Sequence, residues 1–333
     1  MNEVETKDVG TTDLSAYMMR VIEELRRDRK PPAVHIYACT LRSFIRFSCS
    51  GEEECSMLME EVFTPGRLKE YEQWMLFRKL TQNTISTYMR TLRAVYNRWM
   101  PPGTAEHNPR LFDDVYTGVV SQTKRALTAR QMEQLLAADL SGLSPQQQQA
   151  VLAYFLLMFL LRGMPFIDLA HLRKRDMQDG RITYSRHKTD KPITVRIPRE
   201  ALALIAKYAD RHSASPYLFP ILDAGIRDGW LSYRNYQDAL RHFNRKLGQV
   251  MSRLLPGVRV SSYTARHTWA TLAFHSGQPV GIISQALGHS SLRVTETYLK
   301  PFGNELVDKA NRQLIASVRK CKWKNETEYR AGL

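Results

Sequence analysis

The chain has 333 residues, 43% of them hydrophobic, with a formal net charge of +15 and an isoelectric point near 9.7. That much apolar material suits a globular protein of two ordinary domains and argues against a disordered chain, while the positive surplus points to a polyanionic partner, nucleic acid first. The surplus is uneven: residues 1–100 carry 15 Lys and Arg against 14 Asp and Glu, and residues 101–333 carry 33 against 19. The most apolar run, Ala150 to Leu161, is twelve residues long, so it reads as a buried core helix and not as a membrane span. Cys39, Cys49, Cys55 and Cys321 form no C-x-x-C pair, so neither a zinc site nor a redox dithiol is suggested. Without a signal peptide the chain is expected in a reducing, cytoplasmic setting.

In chain order, residues 1–12 are polar and read as a loose N-terminus. From Asp13 to Lys30 the pattern is helical, with Asp13 as N-cap and Leu14, Met18, Val21, Ile22 and Leu25 on one face. Pro31-Pro32 ends that helix. A second helix is expected over about 33–49, a third over 65–79, and a fourth, capped by Asn83, over 84–100 with Ile85, Met89, Leu92, Val95, Tyr96 and Trp99 at helical spacing. Residues 13–100 thus read as a compact helical domain. Pro101-Pro102-Gly103 breaks it, and 101–124 lack helical periodicity and read as a linker.

A second domain is expected over 125–320. Thr128 looks like an N-cap, the apolar helix follows, and Arg162 stands at its end. Arg181–Ser185 and Ile193–Ile197 alternate with period two around Lys188, which predicts a β-hairpin, with Asp179-Gly180 as a tight turn before it. Helices resume over about 199–211, 232–253, 264–276, 280–287, 293–299 and 304–320, and residues 321–333 read as a frayed tail. The fold class is therefore mainly α, with one small antiparallel sheet in the second domain.

Six residues stand out for chemistry: Arg162, Lys188, Tyr263, Arg266, His289 and Tyr298. Each alone has a plainer reading: an arginine capping helix carbonyls, a solvated lysine in a hairpin tip, a histidine complementing a helix dipole, a packed tyrosine. Arg266 is the exception, because a cation among Trp269, Ala270, Leu272 and Phe274 needs an anionic partner. As a set they suit phosphoryl transfer without metal, since no cluster with metal-ligand spacing accompanies them. Cations would neutralise the non-bridging oxygens as charge builds, and a tyrosine would supply the nucleophilic oxygen.

The chain resembles the tyrosine site-specific recombinases, the lambda-integrase family, over about residues 13–320. Leu287-Gly288-His289-Ser290-Ser291 followed by Thr297-Tyr298, with nine positions from His289 to Tyr298, is the most specific element. Tyr263-Thr-Ala-Arg266-His267-Thr-Trp-Ala-Thr is similar to the family's His-x-x-Arg-His-Thr-x-Ala-Thr. Lys188 matches its hairpin lysine, Arg162 its first arginine, and the N-terminal helices its SAM-like core-binding domain. The resemblance implies attack by Tyr298 to give a 3′-phosphotyrosine, with Arg162 and Arg266 clamping the phosphate. It also implies that Lys188 protonates the leaving 5′-oxygen and that His289 hydrogen-bonds the phosphate and helps manage protons. Neither ATP nor metal is implied, and no cofactor. The implied partners are double-stranded recombination sites, with four protomers on DNA associating through the C-terminal helix, and accessory DNA-bending proteins.

Two departures stand beside the match. Tyr263 replaces the histidine of His-x-x-Arg, and a phenol with a pKa near 10 is a hydrogen-bond donor but a poor proton shuttle. The family's acid three residues after the first arginine is absent, and Asp168 lies six residues on. Both resemble a subgroup of bacterial integrases and DNA invertases, acting in the cytoplasm at the nucleoid. The helical region begins by residue 13, so a simple recombinase without an arm-binding domain is expected. Arg93, Arg98, Lys124, Arg125, Arg234, Arg241 and Arg245 are the candidate DNA contacts. The competing reading is a regulatory or architectural DNA-binding protein of the same fold that does not cleave.

Overall fold

The computed structural model describes residues 13–49, 57–120, 125–139, 146–226, 228–299, 308 and 311–316. The expected loose N-terminus, Lys124, Cys55, the tail from Cys321 and most of the expected helix over 304–320 lie outside the described residues. The chain divides into two compact units, one of residues up to Gln122 with Ile226–Asn235, the other of Thr123–Gly225 with Tyr236–Leu333.

In the first unit, α1 (Leu14–Arg27) starts at Asp13, whose carboxylate accepts the Ala16 N–H at 3.1 Å with one oxygen and the Met57 N–H at 2.9 Å with the other. Pro31 and Pro32 do more than close this helix: they occupy the first two positions of α2 (Pro31–Ser48), where the missing N–H would be unbonded anyway. A single turn, α3 (Met59–Val62), precedes α4 (Pro65–Phe77) and α5 (Gln82–Trp99). The cap of α5 is Thr81, not Asn83: the Thr81 hydroxyl accepts the Thr84 N–H at 3.3 Å. Asn83 is used elsewhere, its amide donating to the Val120 carbonyl at 3.0 Å and accepting the Val120 N–H at 2.9 Å. The apolar faces meet in a core of Leu14, Met18, Phe44, Leu68, Tyr71, Met89, Leu92 and Val95, all fully buried. Cys39 is a free thiol and Cys49 is disulfide-bonded, a departure from the all-thiol chemistry that a reducing compartment implies.

Residues 101–120 have no helix, as their lack of periodicity predicts, but they are not a free linker. Leu111, Phe112 and Val115 are buried in the first core. Three side chains tie the backbone down: the Tyr96 hydroxyl accepts the Asn108 N–H at 2.7 Å, Glu72 accepts the Tyr116 N–H at 2.6 Å, and Asn83 holds Val120. Side chains here satisfy the backbone groups that a helix would satisfy internally. The sequence pattern hides this because irregular packed chain has no period to detect.

In the second unit, Thr128 opens α6 (Ala129–Leu136) with a capping box to Gln131. The apolar run forms α7 (Gln146–Leu160), buried on all sides as a helix without a polar stripe must be. After α8 (Phe166–His171) come β1 (Met177–Gln178), β2 (Arg181–Ser185) and β3 (Pro192–Arg196), an antiparallel sheet in that order. Asp179 and Gly180 join β1 to β2 with φ of 48° and 68°, the left-handed pair that a two-residue hairpin turn requires. Ile182 opposite Val195 and Tyr184 opposite Ile193 face the core. Helices α9 (Arg199–Tyr208), α10 (Gly229–Leu254, whose residues up to Asn235 count with the first unit), α11 (Ser262–His275), α12 (Val280–Leu287) and α13 (Leu292–Glu296) follow, and residues 311–316 are helical. The expected class, mainly helical with one small antiparallel sheet, is the observed one. Among the described residues no helix is long and apolar enough to cross a membrane.

Candidate active site

The site is assembled where α11 lies between the turn that ends α7 and the C-terminal end of α12. Arg162 and Gly163 leave α7 with φ of 61° and 67°. The close approach of α11 requires glycine at 163, since a Cβ there would sit 3.2 Å from the Arg266 Cα and 3.3 Å from the Trp269 Cβ. The Gly163 carbonyl turned towards α11 accepts Arg266 Nη1 at 2.8 Å. At the other end, α12 stops at Gly288, which is left-handed with φ 65°, so the His289 N–H returns to the Ser284 carbonyl at 3.0 Å. The chain then passes α13 and reaches Tyr298, which packs with Ala270, Ile283 and Leu287.

Arg266 is 2% exposed and shares its guanidinium between the Gly163 carbonyl, the Leu287 carbonyl at 2.6 Å and His289 Nε2 at 3.0 Å. An arginine cannot accept a hydrogen bond, so Nε2 must be the acceptor, the His289 ring is neutral, and its proton is on Nδ1, donated to the Thr295 hydroxyl at 2.9 Å. Burial, then the charges of Arg266, Arg186 and Lys188, hold the His289 imidazole down at about 3. Tyr298 packs against this ring, tilted by 31° at 4.8 Å between centroids, and Arg266 lies over the Tyr298 ring at 5.5 Å. The Tyr298 hydroxyl is 2.9 Å from that of Tyr263, the two rings nearly parallel at 6.0 Å. Desolvation, then the adjoining Tyr298 hydroxyl, pushes the Tyr263 phenol up to about 12. His267, part of the same sequence block, lies 5.0 Å from the Tyr298 ring.

The structure thus brings Tyr263, Arg266, His289 and Tyr298 together. Lys188 is exposed in the β2–β3 loop, and its charge reaches His289. Arg162 is half-buried and donates to the Thr194 carbonyl of β3 at 3.4 Å, a long hydrogen bond. Asp168 is 3% exposed in α8 and accepts the His187 N–H at 3.0 Å, while burial raises its pKa against the pull of neighbouring cations.

Two residues escaped the sequence reading. Arg186, 5% exposed, donates from Nη1 to the Gly288 carbonyl at 2.7 Å. Its signal was present: Ile182, Tyr184 and Arg186 are the inward positions of one alternation, so the arginine continues a buried face. Thr295, fully buried, is the acceptor that fixes the His289 tautomer, and nothing in a lone threonine announces that.

Of the candidate DNA contacts, Arg93 lies over Phe112 at 5.3 Å and donates to the Thr117 hydroxyl, and Arg98 pairs with Glu24. Arg125 and Arg234 are exposed; Arg241 pairs with Asp238 and Arg245 lies 3.4 Å from His242. The first unit also carries a basic and aromatic cavity of about 290 Å³ lined by Arg42, Arg46, Arg78, Trp74 and Tyr88. Arg42 and Arg46 stand one helical turn apart, a spacing legible in the sequence.

Residues 125–305 match the phage integrase family and residues 13–113 match the phage integrase SAM-like domain. The chain belongs to the phage integrase family. It is 29% identical to the tyrosine recombinase XerA of Pyrococcus furiosus over 155 residues, covering 45% of this chain and 51% of that protein. It is 26% identical to the tyrosine recombinase XerC of Bacillus licheniformis over 231 residues, covering 66% of this chain and 70% of that one. The chain thus spans about half the length of the first of these relatives. In fold it is similar to a lambda integrase dimer bound to a COC′ core site, with a TM-score of 0.61, 15% identity, and coverage of 87% of this chain and 78% of that one.

Proposed function

We propose that the protein is a site-specific recombinase that cuts and rejoins duplex DNA through a 3′-phosphotyrosine on Tyr298. The observation that carries this reading is the convergence of the Tyr298 hydroxyl with a buried arginine, a neutral histidine and a second tyrosine. The Tyr298 oxygen attacks the scissile phosphorus, and the bond to the 5′-oxygen breaks. The Tyr298 proton leaves to water, because His289, with its Nε2 lone pair held by Arg266 and its pKa near 3, is no base as it stands, and Lys188, exposed in the hairpin loop, gives its proton to the leaving 5′-oxygen. Arg266 neutralises charge on the non-bridging oxygens, where a fixed donor in a water-poor site acts most strongly. One phosphate ester replaces another, so the step needs no external energy source, and a 5′-hydroxyl from a second strand reverses it. The geometry supports Arg162 as a clamp less well, because its guanidinium faces Thr194. Tyr263 hydrogen-bonds the nucleophile first and the phosphate once DNA is bound. Four copies on two sites would exchange strands in pairs, giving integration, excision or inversion.

The test uses nicked duplexes built from the DNA flanking the gene and looks for a covalent protein–DNA adduct resistant to denaturant. The expected result is an adduct with the wild type and none with Tyr298→Phe. An adduct that persists with Tyr298→Phe rejects the nucleophile, and salt-sensitive binding with no adduct on any duplex leaves a DNA-binding protein without cleavage.

A further inference from the structure

The loop that carries Lys188 is held from two sides. Its tip is bonded within itself: the Arg186 carbonyl accepts the Thr189 N–H at 3.1 Å and the Asp190 N–H at 2.8 Å, and the Arg186 N–H donates to the Lys191 carbonyl at 2.9 Å. Residues 188–191 are exposed, and their side chains make no hydrogen bond or ion pair among the described residues. The tip therefore goes where residues 186 and 187 put it. On the inner side Arg186 reaches the Gly288 carbonyl at 2.7 Å. On the outer side the His187 N–H donates to Asp168 at 3.0 Å, and the His187 ring packs on that of His171, tilted by 47° at 4.8 Å between centroids. His171, the last residue of α8, is itself fixed. Its Nδ1 carries the proton and donates to the Ile167 carbonyl at 2.8 Å, and the Tyr217 and Tyr236 rings stand 6.4 and 5.8 Å away. Burial, foremost, lowers its pKa, so the ring is neutral and brings no charge of its own against His187.

Between α8 and the outward face of β2 lies a hollow of about 410 Å³, lined by Asp168, His171, Thr183, Ser185, His187 and Pro192. With either ring removed, the tip has room to shift into it. We propose that His171 and His187 are positioning residues for Lys188: the ring pair props the loop against α8 and keeps the lysine ammonium where the 5′-oxygen leaves. This rests on the recombinase reading above, in which Lys188 is the acid, and both histidines act through that lysine. A proton donor works only within hydrogen-bond reach of the atom it protonates, and a displacement of about 1 Å can cost about 100-fold. An exposed lysine on a flexible four-carbon stem cannot fix itself, so the backbone beneath it has to be fixed instead.

The experiment measures cleavage by the full-length wild type, His187→Ala, His187→Phe, His171→Ala and Lys188→Ala. The substrates are nicked duplexes with either the ordinary 5′-oxygen or a sulfur at the leaving position. A thiolate, whose parent thiol has a pKa of about 8.5, leaves without a proton, so the sulfur duplex does not need the acid. His187→Ala and His171→Ala should cleave the ordinary duplex about 100-fold more slowly, and the deficit should disappear on the sulfur duplex. His187→Phe keeps the backbone N–H and a ring, and should retain most of the activity. Added to Lys188→Ala, either alanine change should cost little more, since both act through the same side chain. The proposal is overturned if His187→Ala cleaves the ordinary duplex at the wild-type rate. It is equally overturned if the deficits are the same on the two leaving groups, which would mean general damage to the site. His187 is exposed, so its alanine variant decides the matter should His171→Ala fail to fold. Hydrogen exchange of residues 186–191 in the DNA-free protein is the second readout. It should speed up in both alanine variants, and unchanged exchange overturns the proposal. If the wild type forms no adduct on either duplex, the recombinase reading fails, and this exchange still decides whether the ring pair holds the loop.

Discussion

At the scale of single residues the site turns on which atoms carry protons. His289 is neutral because Arg266 donates to its Nε2 and Thr295 accepts from its Nδ1. A histidine whose folded pKa is depressed to about 3 from 6.5 binds its proton more readily in the unfolded chain. Its contribution is therefore complete above pH 6.5 and is lost as pH falls from there towards 3, with a slope of about 1.4 kcal/mol per pH unit where the two states differ by one whole proton. Melting temperatures of wild type and His289→Asn across that window check this: the difference between the two curves should change with pH below 6.5 and be flat above it. Tyr263 is the second case. With its phenol pushed up to about 12 it stays protonated at every working pH, so it acts as a hydrogen-bond donor and not as a base. Tyr263→His retains a donor and should keep substantial cleavage, while Tyr263→Phe should lose roughly tenfold, about the worth of one hydrogen bond. Equal rates for Tyr263→Phe and wild type would remove the residue from the chemistry.

At the scale of elements, the two ends that frame α11 depend on glycines. A Cβ at Gly288 would lie 2.6 Å from Ile193 Cδ1, and the residue is already at φ 65°. Gly288→Ala should destabilise the second unit by about 1–3 kcal/mol through strain and overpacking, and should impair cleavage as well, because His289 follows directly. Calorimetry and the adduct assay together measure both effects, and an unchanged melting temperature would show that the hairpin yields freely. How much could be read beforehand follows a physical line. Helices with an apolar stripe, the β-turn at Asp179-Gly180 and the spacing of His289 from Tyr298 depend on local pattern and were legible. Arg186 was missed because a charged residue on a buried face is invisible to a rule that counts apolar ones. The packing of residues 101–120 was missed because it rests on Tyr96, Glu72 and Asn83, each distant in sequence from the backbone group it satisfies. Asn83 also shows a polar residue near a helix start taken for its cap when the cap stood two positions earlier.

On the scale of the whole molecule, the positive surplus of residues 101–333 sets the response to salt. Binding that neutralises phosphates should weaken linearly in log–log terms as salt rises, each lost contact reducing the slope by about 0.9. Arg125, exposed at the start of the second unit, should show that reduction when replaced by alanine, whereas Arg98, already paired with Glu24, should show less of it. Titrations of the full chain at several salt concentrations distinguish the two, and identical slopes would show that the Glu24 pair opens on DNA. One feature of the centre reaches beyond chemistry. Arg266 bonds the turn after α7 with one nitrogen and the end of α12 with another, so the side chain proposed to neutralise the phosphate also ties these two ends together. The Tyr298 ring packs with Ala270, Ile283 and Leu287, but its hydroxyl, bonded to Tyr263, can be removed without emptying that contact. If the proposed activity ceases to be selected, a copy that replaces Tyr298 by Phe should still fold and keep whatever DNA binding the chain has, whereas a copy that mutates Arg266 should be destabilised as well. Decayed copies that persist as repressors should therefore be found with the arginine kept and the tyrosine gone.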